Sequence, residues 1–400
     1  MRILVLADIR FPLERANGVQ TAETCHALAR RGHDVTLVVR PDTAGTPRDP
    51  LVYYGLVPLP ELHIHQVRVP RRVSLRRAVY VWHAVRMAAS LAAHDRIFTR
   101  DLVVARLLLG SQGLVRAPVV YESHGFSPSV SAELPLLVST ATHPSPSKLA
   151  RLTRREQYVW RHAAGYVTIT EGLRREMEAR FGRRQSVSVI PDGTHVAADA
   201  AVAEGFHRPP VVGYAGHLYP WKGVDVLLDA LSRLDGLTGL VIGGLSNEPD
   251  LGRVKAMADR LAPGRVVFAG AVAPGDVAGR LKAADILVLP NPATRISSAY
   301  TSPLKLFEYM ASGRPIVASD LPALREVLRH EQNALLVEPG NASALADAIR
   351  RLVTEPGLAT SLAASALRDV RRYTWDARAE RLDALLTSLP AGALATGGTE

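Results

Sequence analysis

Cysteine occurs once in 400 residues, as Cys25. That excludes an internal disulfide and any metal site built from several cysteines. Lysine is nearly as sparse: of 48 basic residues only five are lysines, at 148, 222, 255, 282 and 305. A chain that otherwise uses arginine keeps lysine where a compact ammonium is needed. No Asp-x-Asp is present, and the first strand is not followed by G-x-G-x-x-G, so a dinucleotide fingerprint is unsupported. Long apolar runs are missing too. The best stretch, 78–93, contains His83 and Arg86 and does not suit a membrane span. The apolar start, Met1 to Ala7, is too short for a secretory h-region and ends at Asp8. The expectation is a cytoplasmic chain, either soluble or peripheral at the inner face of the membrane.

What is present suits large buried cores: 47% of residues are hydrophobic and 22% charged. The formal net charge of +10 suits an anionic partner, either a nucleotide or a membrane surface. Nucleic acid is not expected, because no recognition motif or aromatic-interleaved basic stripe occurs. Arg68, Arg71, Arg72, Arg76 and Arg77 lead into a helix carrying Val79, Trp82, Val85 and Met87. Such a helix fits a membrane surface, and it fits a solvated face of an ordinary domain equally.

Strand and helix patterns alternate along the chain. Residues 2–7 read as a buried strand. A loop with Asn17 and Gly18 follows, then a helix over 21–31 and a strand over 34–39. Further strands are expected at 96–99, 117–121, 165–170 and 187–190, with helices over 149–163 and 171–181. His124 closes the strand ending in Glu122-Ser-His124-Gly125, which suits a cleft. His33, just before a strand, reads as structural. Residues 127–147, rich in Ser, Pro and Thr, read as a mobile loop. The alternation restarts after a linker at 195–209, with strands at 210–215, 239–243, 266–270, 285–290 and 334–337. Two alternating patterns of similar length imply two doubly wound α/β domains, over 1–194 and 210–375. The last helix, 376–388, is expected to pack back on the first domain, and 389–400 reads as a disordered tail.

The stretch from Tyr300 to Ser319 reads as loop, helix, glycine stop and strand. Ser302 suits an N-cap and Pro303 the first helical position. Leu304, Phe307 and Met310 share one face. Free amides at a helix start suit phosphate, and Glu308 lies one turn further in, where a carboxylate can accept from ribose hydroxyls. The same residues also fit a plain capped turn.

Taken in order, several motifs resemble the retaining glycosyltransferases of family 4, with the GT-B fold of two Rossmann-like domains facing across a cleft. The 300–319 stretch resembles the second half of that family's Glu-x7-Glu signature. Gly213 to Asp225, with Lys222, resembles its phosphate loop. Asn17-Gly18-Val19, Arg31 to Val35, Val189 to Gly193 and Tyr373-Thr-Trp375 complete the set. The resemblance covers about residues 1–385. It implies transfer of a sugar from a nucleotide-diphosphate donor to an acceptor hydroxyl on a sugar, a lipid-linked sugar or a small metabolite. Cell-envelope polysaccharide or glycolipid synthesis is the implied setting.

By that resemblance Gly18 lets the backbone approach the donor diphosphate, Lys222 stabilises the leaving phosphates, and His124 sits beside the transferred sugar. The backbone at Thr301, Ser302, Leu304 and Lys305 meets phosphate or sugar. Glu308 takes the ribose, while Gly243, Gly244, Ala269, Gly270 and Val272 line the base pocket. Two departures stand out. Tyr300 occupies the place of the first glutamate, which leaves the donor sugar open. His217 replaces an arginine before Lys222, so Arg295 or Lys305 would supply the lost charge. No metal and no cofactor are expected. A nucleotide-sugar 2-epimerase and a non-catalytic nucleotide-sugar-binding protein remain the alternative readings.

Overall fold

Short β-branched runs alternate with amphipathic helices throughout this computed structural model, which describes residues 1–43, 48–70, 73–111, 113–137, 142–245 and 248–392. The chain divides into two compact units. Unit 1 comprises 1–132, 143–191 and 375–400; unit 2 comprises 133–142 and 192–374.

Unit 1 runs β1 (Arg2–Phe11), α1 (Ala16–Arg30), β2 (Asp34–Pro41), α2 (Pro50–Tyr54), β3 (Leu62–Gln66), α3 (Val73–Ala89), β4 (Arg96–Thr99), α4 (Leu102–Gly110), β5 (Val119–Ser123), the first half of α5 (Ser127–Leu137, grouped with unit 2 from residue 133), α6 (Pro146–His162), β6 (Gly165–Thr168), α7 (Glu171–Phe181) and β7 (Val187–Val189). Its parallel sheet has the order β3-β2-β1-β4-β5-β6-β7. Unit 2 repeats the plan: β8 (Val211–Ala215), α8 (Val224–Ser232), β9 (Thr238–Ile242), α9 (Asp250–Leu261), β10 (Val266–Gly270), α10 (Val277–Leu281), β11 (Ile286–Leu289), α11 (Arg295–Ala299), α12 (Leu304–Ala311), β12 (Ile316–Ser319), α13 (Pro322–Arg325), β13 (Leu335–Val337), α14 (Ala342–Thr354) and α15 (Pro356–Asp369). Its sheet has the order β10-β9-β8-β11-β12-β13. The final helix, α16 (Trp375–Ser388), returns to unit 1. Both sheets reverse winding direction beside their first strand. Ligands of such folds bind at that switch point, outside the carboxyl ends of the strands.

The two-residue strand period explains the layering of unit 2. Val212, Tyr214, Ile286, Val288 and Val317 join one core with Leu227, Leu231 and Ile349. The intervening Ala215, Leu287, Leu289, Ile316 and Ala318 join the other with Phe307, Met310 and Leu367. Both faces of each strand are therefore covered, which is why these strands read as continuous apolar runs. Val196, Ala200 and Val202, from the expected linker, pack on the second of these cores.

Several expectations need correction. Residues 127–147 are not a loop throughout: α5 occupies Ser127–Leu137, and α6 begins at Pro146 after the cap Ser145, whose side chain accepts from Lys148 N. The Ser and Pro content hid α5, which carries Pro135 internally. Residues 138–141 lie outside the described residues. Helix α1 starts five residues earlier than expected, so Gly18 lies in its first turn. Edge strand β3 was not expected; its polar sequence, Leu-His-Ile-His-Gln, suits an edge. In α3 the buried positions are Tyr80, Ala84 and Ala88, small or anchored groups four apart that let the helix sit close to the sheet. Trp82 on the expected apolar side is 57% exposed. Arg71 and Arg72 lie outside the described residues. Leu389 is buried, and Gly392 N donates to Ala93 O, so order continues past the last helix.

Candidate functional site

The strongest constellation in unit 2 begins where β8 ends. The chain turns through Gly216, His217, Leu218 and Tyr219 into a short 3-10 turn, Pro220–Lys222, and enters α8 after Gly223. Gly223 has φ +79°, and any Cβ there would collide with the Pro290 carbonyl at the end of β11. The loops leaving β8 and β11 thus touch at the switch point, with no room for a side chain. Gly243 after β9 has φ +129°, and a Cβ there would strike the carbonyl of Gly216. Gly244 follows at φ +77°. Ala269 and Gly270 close β10, and Gly243 N donates to Gly270 O at 2.8 Å. Val272 lies beyond and packs on the core.

Two ammonium groups meet at this loop. Lys222 Nζ stands 3.8 Å from the centroid of the Trp221 ring, and burial lowers its pKa to about 8. Lys305, in the first turn of α12, places Nζ 4.0 Å from the centroid of the Tyr214 ring. Burial drives Lys305 well below the ordinary lysine range; the charge of Lys222 adds to this, while Glu308 opposes it. Lys305 Nζ is buried without a hydrogen-bond partner. Two coupled, desolvated amines, one of them an unpartnered donor, fit the phosphates of a nucleotide diphosphate, whose charge would favour their protonated forms.

The remaining residues divide between framework and lining. Ser302 does not cap the helix as expected. Its Oγ accepts from Asp192 N at 3.1 Å, and α12 starts one residue later than expected, at Leu304, with Pro303 as its N-cap. Thr301 Oγ1 donates to Ile296 O at 2.8 Å. Tyr300 is buried and accepts from Arg295 Nε at 3.3 Å, an aromatic hydroxyl at the position where the resembling family carries a glutamate. His217 is 3.4 Å from Glu248 Oε2. Burial raises the pKa of Glu248, but the hydrogen bonds from His217, Leu218 N and Leu245 N outweigh it and leave the carboxylate below its ordinary range. His217 thus helps order this loop. Of the two replacements considered for its charge, Lys305 is electrostatically coupled to Lys222. Among the described residues no cluster of three or more His, Cys, Asp or Glu is arranged to hold a metal.

In unit 1 the polar centre is Glu122 at the carboxyl end of β5, fully buried. It is paired with Arg378 of α16 and accepts from Gln20 Nε2 at 2.5 Å. Arg378 also donates to the carbonyls of Ile190 and Pro191, both at 2.9 Å, and to Thr24 Oγ1 at 3.0 Å. Burial alone would raise Glu122, but the charge of Arg378 and the hydrogen bond from His124 hold it far below the usual carboxylate range. His124 Nε2 lies 2.5 Å from Glu122 Oε1. Burial, reinforced by the charge of Arg100, lowers His124 to about 4. The imidazole is therefore neutral at pH 7, donating from Nε2 and leaving Nδ1 as an acceptor.

Sequence reasoning found His124 and missed its support. Glu122 was legible in principle, because residues two apart on a strand share a face. Nothing local pointed to Arg378, more than 250 positions away. Gly18 has a reason inside its own unit: a Cβ there would collide with Leu13 O and with the Tyr54 hydroxyl, which bonds Leu13 N at 2.7 Å.

The comparisons with known proteins agree with this architecture. Residues 17–193 match the family described as "Glycosyl transferase 4-like domain", and residues 209–355 match "Glycosyl transferases group 1". The structure of a sucrose-phosphate synthase from Thermosynechococcus elongatus superposes with TM-score 0.78 at 19% identity, covering 98% of this chain and 100% of that one. Anabaena HepE in complex with UDP-glucose superposes with TM-score 0.70 at 21% identity, over 97% and 100% of the two chains. The fold is that of the GT-B glycosyltransferases, and each half of the chain matches a glycosyltransferase domain model. Among curated relatives, a phosphatidyl-myo-inositol mannosyltransferase of Mycobacterium leprae is 32% identical over 201 residues, 48% of this chain and 51% of that protein. The chain thus spans about half the length of that relative.

Proposed function

We propose that this chain is a retaining glycosyltransferase of family 4 that moves a sugar from a nucleotide-diphosphate sugar to an acceptor hydroxyl. The observation that carries the reading is the pair of buried ammonium groups, Lys222 and Lys305, beside the glycine-walled loops of unit 2. The pair supports donor binding in unit 2, with Glu308 on the ribose and Gly243, Gly244, Ala269, Gly270 and Val272 around the base. In the transfer, the bond between the anomeric carbon and the departing phosphate oxygen breaks. The acceptor oxygen bonds to the same face of that carbon, and its proton passes to the departing phosphate. The two lysines stabilise the charge that develops there. No metal takes part, because fixed positive charge does that work. Unit 1 takes the acceptor, with neutral His124 offering Nδ1 as a hydrogen-bond acceptor. The relatives support an inositol-containing, glycolipid or other small hydroxyl acceptor.

A panel of nucleotide-sugars screened by thermal shift, followed by product mass in the presence of candidate acceptors, tests this. The expected result is one donor that raises Tm and a product heavier than its acceptor by one glycosyl residue. An epimer formed without acceptor, or binding with no transfer across a broad acceptor panel, would overturn it. No helix among the described residues is long and apolar enough to cross a membrane. Peripheral contact through Arg68, Arg76 and Arg77 is part of the proposal.

A further inference from the structure

Several helices among the described residues match their arginines to acids. On α7, Arg174 pairs with Glu171 and Glu178, and Arg180 with Glu176. On α14, Arg351 pairs with Glu331 and Glu355. Helix α6 departs from this habit. It carries Arg151, Arg154 and Arg155 within five positions, and its one acid, Glu156, is buried on the opposite side with Ser127 and Tyr166. Arg106 of α4 faces the same three arginines. Together with Val103, Leu107 and Tyr158 these four line a groove of about 580 Å³.

The groove has a fixed wall. Arg106 lies over the Tyr158 ring, 3.6 Å from its centroid. That ring is stacked on His162 at 4.0 Å, and its hydroxyl donates to Leu109 O at 3.3 Å, tying α6 to α4. Among the described residues, none of Arg106, Arg151, Arg154 and Arg155 forms an ion pair. Burial and then the charges of Arg151, Arg77 and Arg106 lower the pKa of Arg155; Asp101 is the one acid opposing this, and it already holds Arg77. Like charges so placed repel, and more strongly near a protein surface than in bulk water. An anion seated among them would offset that repulsion, and guanidinium forks match phosphate oxygens two at a time.

We propose that the groove between α4 and α6 binds a phosphate-bearing ligand through Arg106, Arg151, Arg154 and Arg155. This site is additional to the lysine pair of unit 2 and does not depend on the function proposed for that pair. Its ligand is either a soluble phosphate ester or a phospholipid headgroup, which share the same chemistry.

Pyrophosphate titrated into the full chain by calorimetry tests the site, with Arg106→Gln/Arg154→Gln and Lys222→Ala variants alongside. The wild type should show two binding events. The arginine variant should lose one of them, or weaken it at least tenfold, while Lys222→Ala loses the other. The arginine variant should also melt no lower than wild type without ligand, because repulsion has been removed. Glycerol 3-phosphate binding that is lost in the arginine variant assigns a soluble ester. Co-sedimentation with phosphatidylglycerol vesicles, but not phosphatidylcholine vesicles, that is lost in the same variant assigns a headgroup. If wild type and arginine variant bind pyrophosphate, glycerol 3-phosphate and vesicles identically, the proposal is wrong. Failure of Lys222→Ala alone to change binding would count against the donor site and leave the groove standing.

Discussion

Lysine 222 shows how burial sets chemistry at a single side chain. Its folded pKa of about 8 leaves it charged at neutral pH and uncharged in mild alkali. Donor kcat/KM, which reports groups of the free enzyme, should therefore be steady below about pH 7 and fall as pH rises through about 8. Lys222→Ala should lower kcat by about tenfold or more, within the range for lost electrostatic donors. A normal kcat with only a raised KM would mean that Lys222 binds the donor equally in ground and transition states. Glu308→Gln keeps shape and removes charge. It should raise donor KM markedly while circular dichroism and Tm stay at wild-type values; unchanged donor kinetics would remove Glu308 from the ribose.

At the scale of elements, α6 is joined to its sheet through one costly group. Glu156 is fully buried, and burial raises its pKa to about 7 against the hydrogen bonds from Ser127 and Tyr166. A carboxyl whose folded pKa lies above its unfolded value binds more protons when folded, so stability falls as pH rises between about 4.5 and 7. Glu156→Gln should therefore stabilise the chain at pH 8 and do little at pH 5; Tm at the two pH values checks the sign. The linkage at β5 runs the other way. His124 is lowered, so it destabilises the fold as pH falls from about 6.5 to about 4, and the depressed Glu122 adds to this only below about 4.5. Arg378→Met would leave Glu122 charged and unpaired, at a cost of about 3–5 kcal/mol. Adding Glu122→Gln should recover much of that loss, which a double-mutant cycle in urea measures.

Over the whole molecule, the expected chemistry uses fixed cations and amides in place of a metal. Transfer activity should survive an excess of EDTA. Activity lost on chelation and restored by Mg²⁺ or Mn²⁺ would overturn that mechanism. Unit 1 is closed by a helix from the far end of the chain: Arg96 holds the carbonyls of Leu386 and Leu389 at 2.7 and 2.6 Å, and Asp383 holds His33 at 2.9 Å. Removing residues 375–400 should therefore destabilise unit 1 cooperatively, read as early loss of protection at β4 and β5 in hydrogen exchange.

The buried strands, the two α/β patterns and the glycine turns were legible in the sequence, because apolar runs and glycine stops are local signals; the polar edge strand β3 was not. The lysines were legible by their rarity. Helix α5 was not, since its Ser and Pro content argues against helix on local grounds and only packing holds it. Partnerships at long range were equally hidden. Sequence separation says nothing of proximity, so Arg378 on Glu122, Asp383 on His33 and Gly223 under Pro290 appear only once the chain is folded. The same holds for charge. The sequence counts +10, but only folding decides which arginines find acids and which, on α4 and α6, are left facing one another, because pairing depends on which helix faces meet.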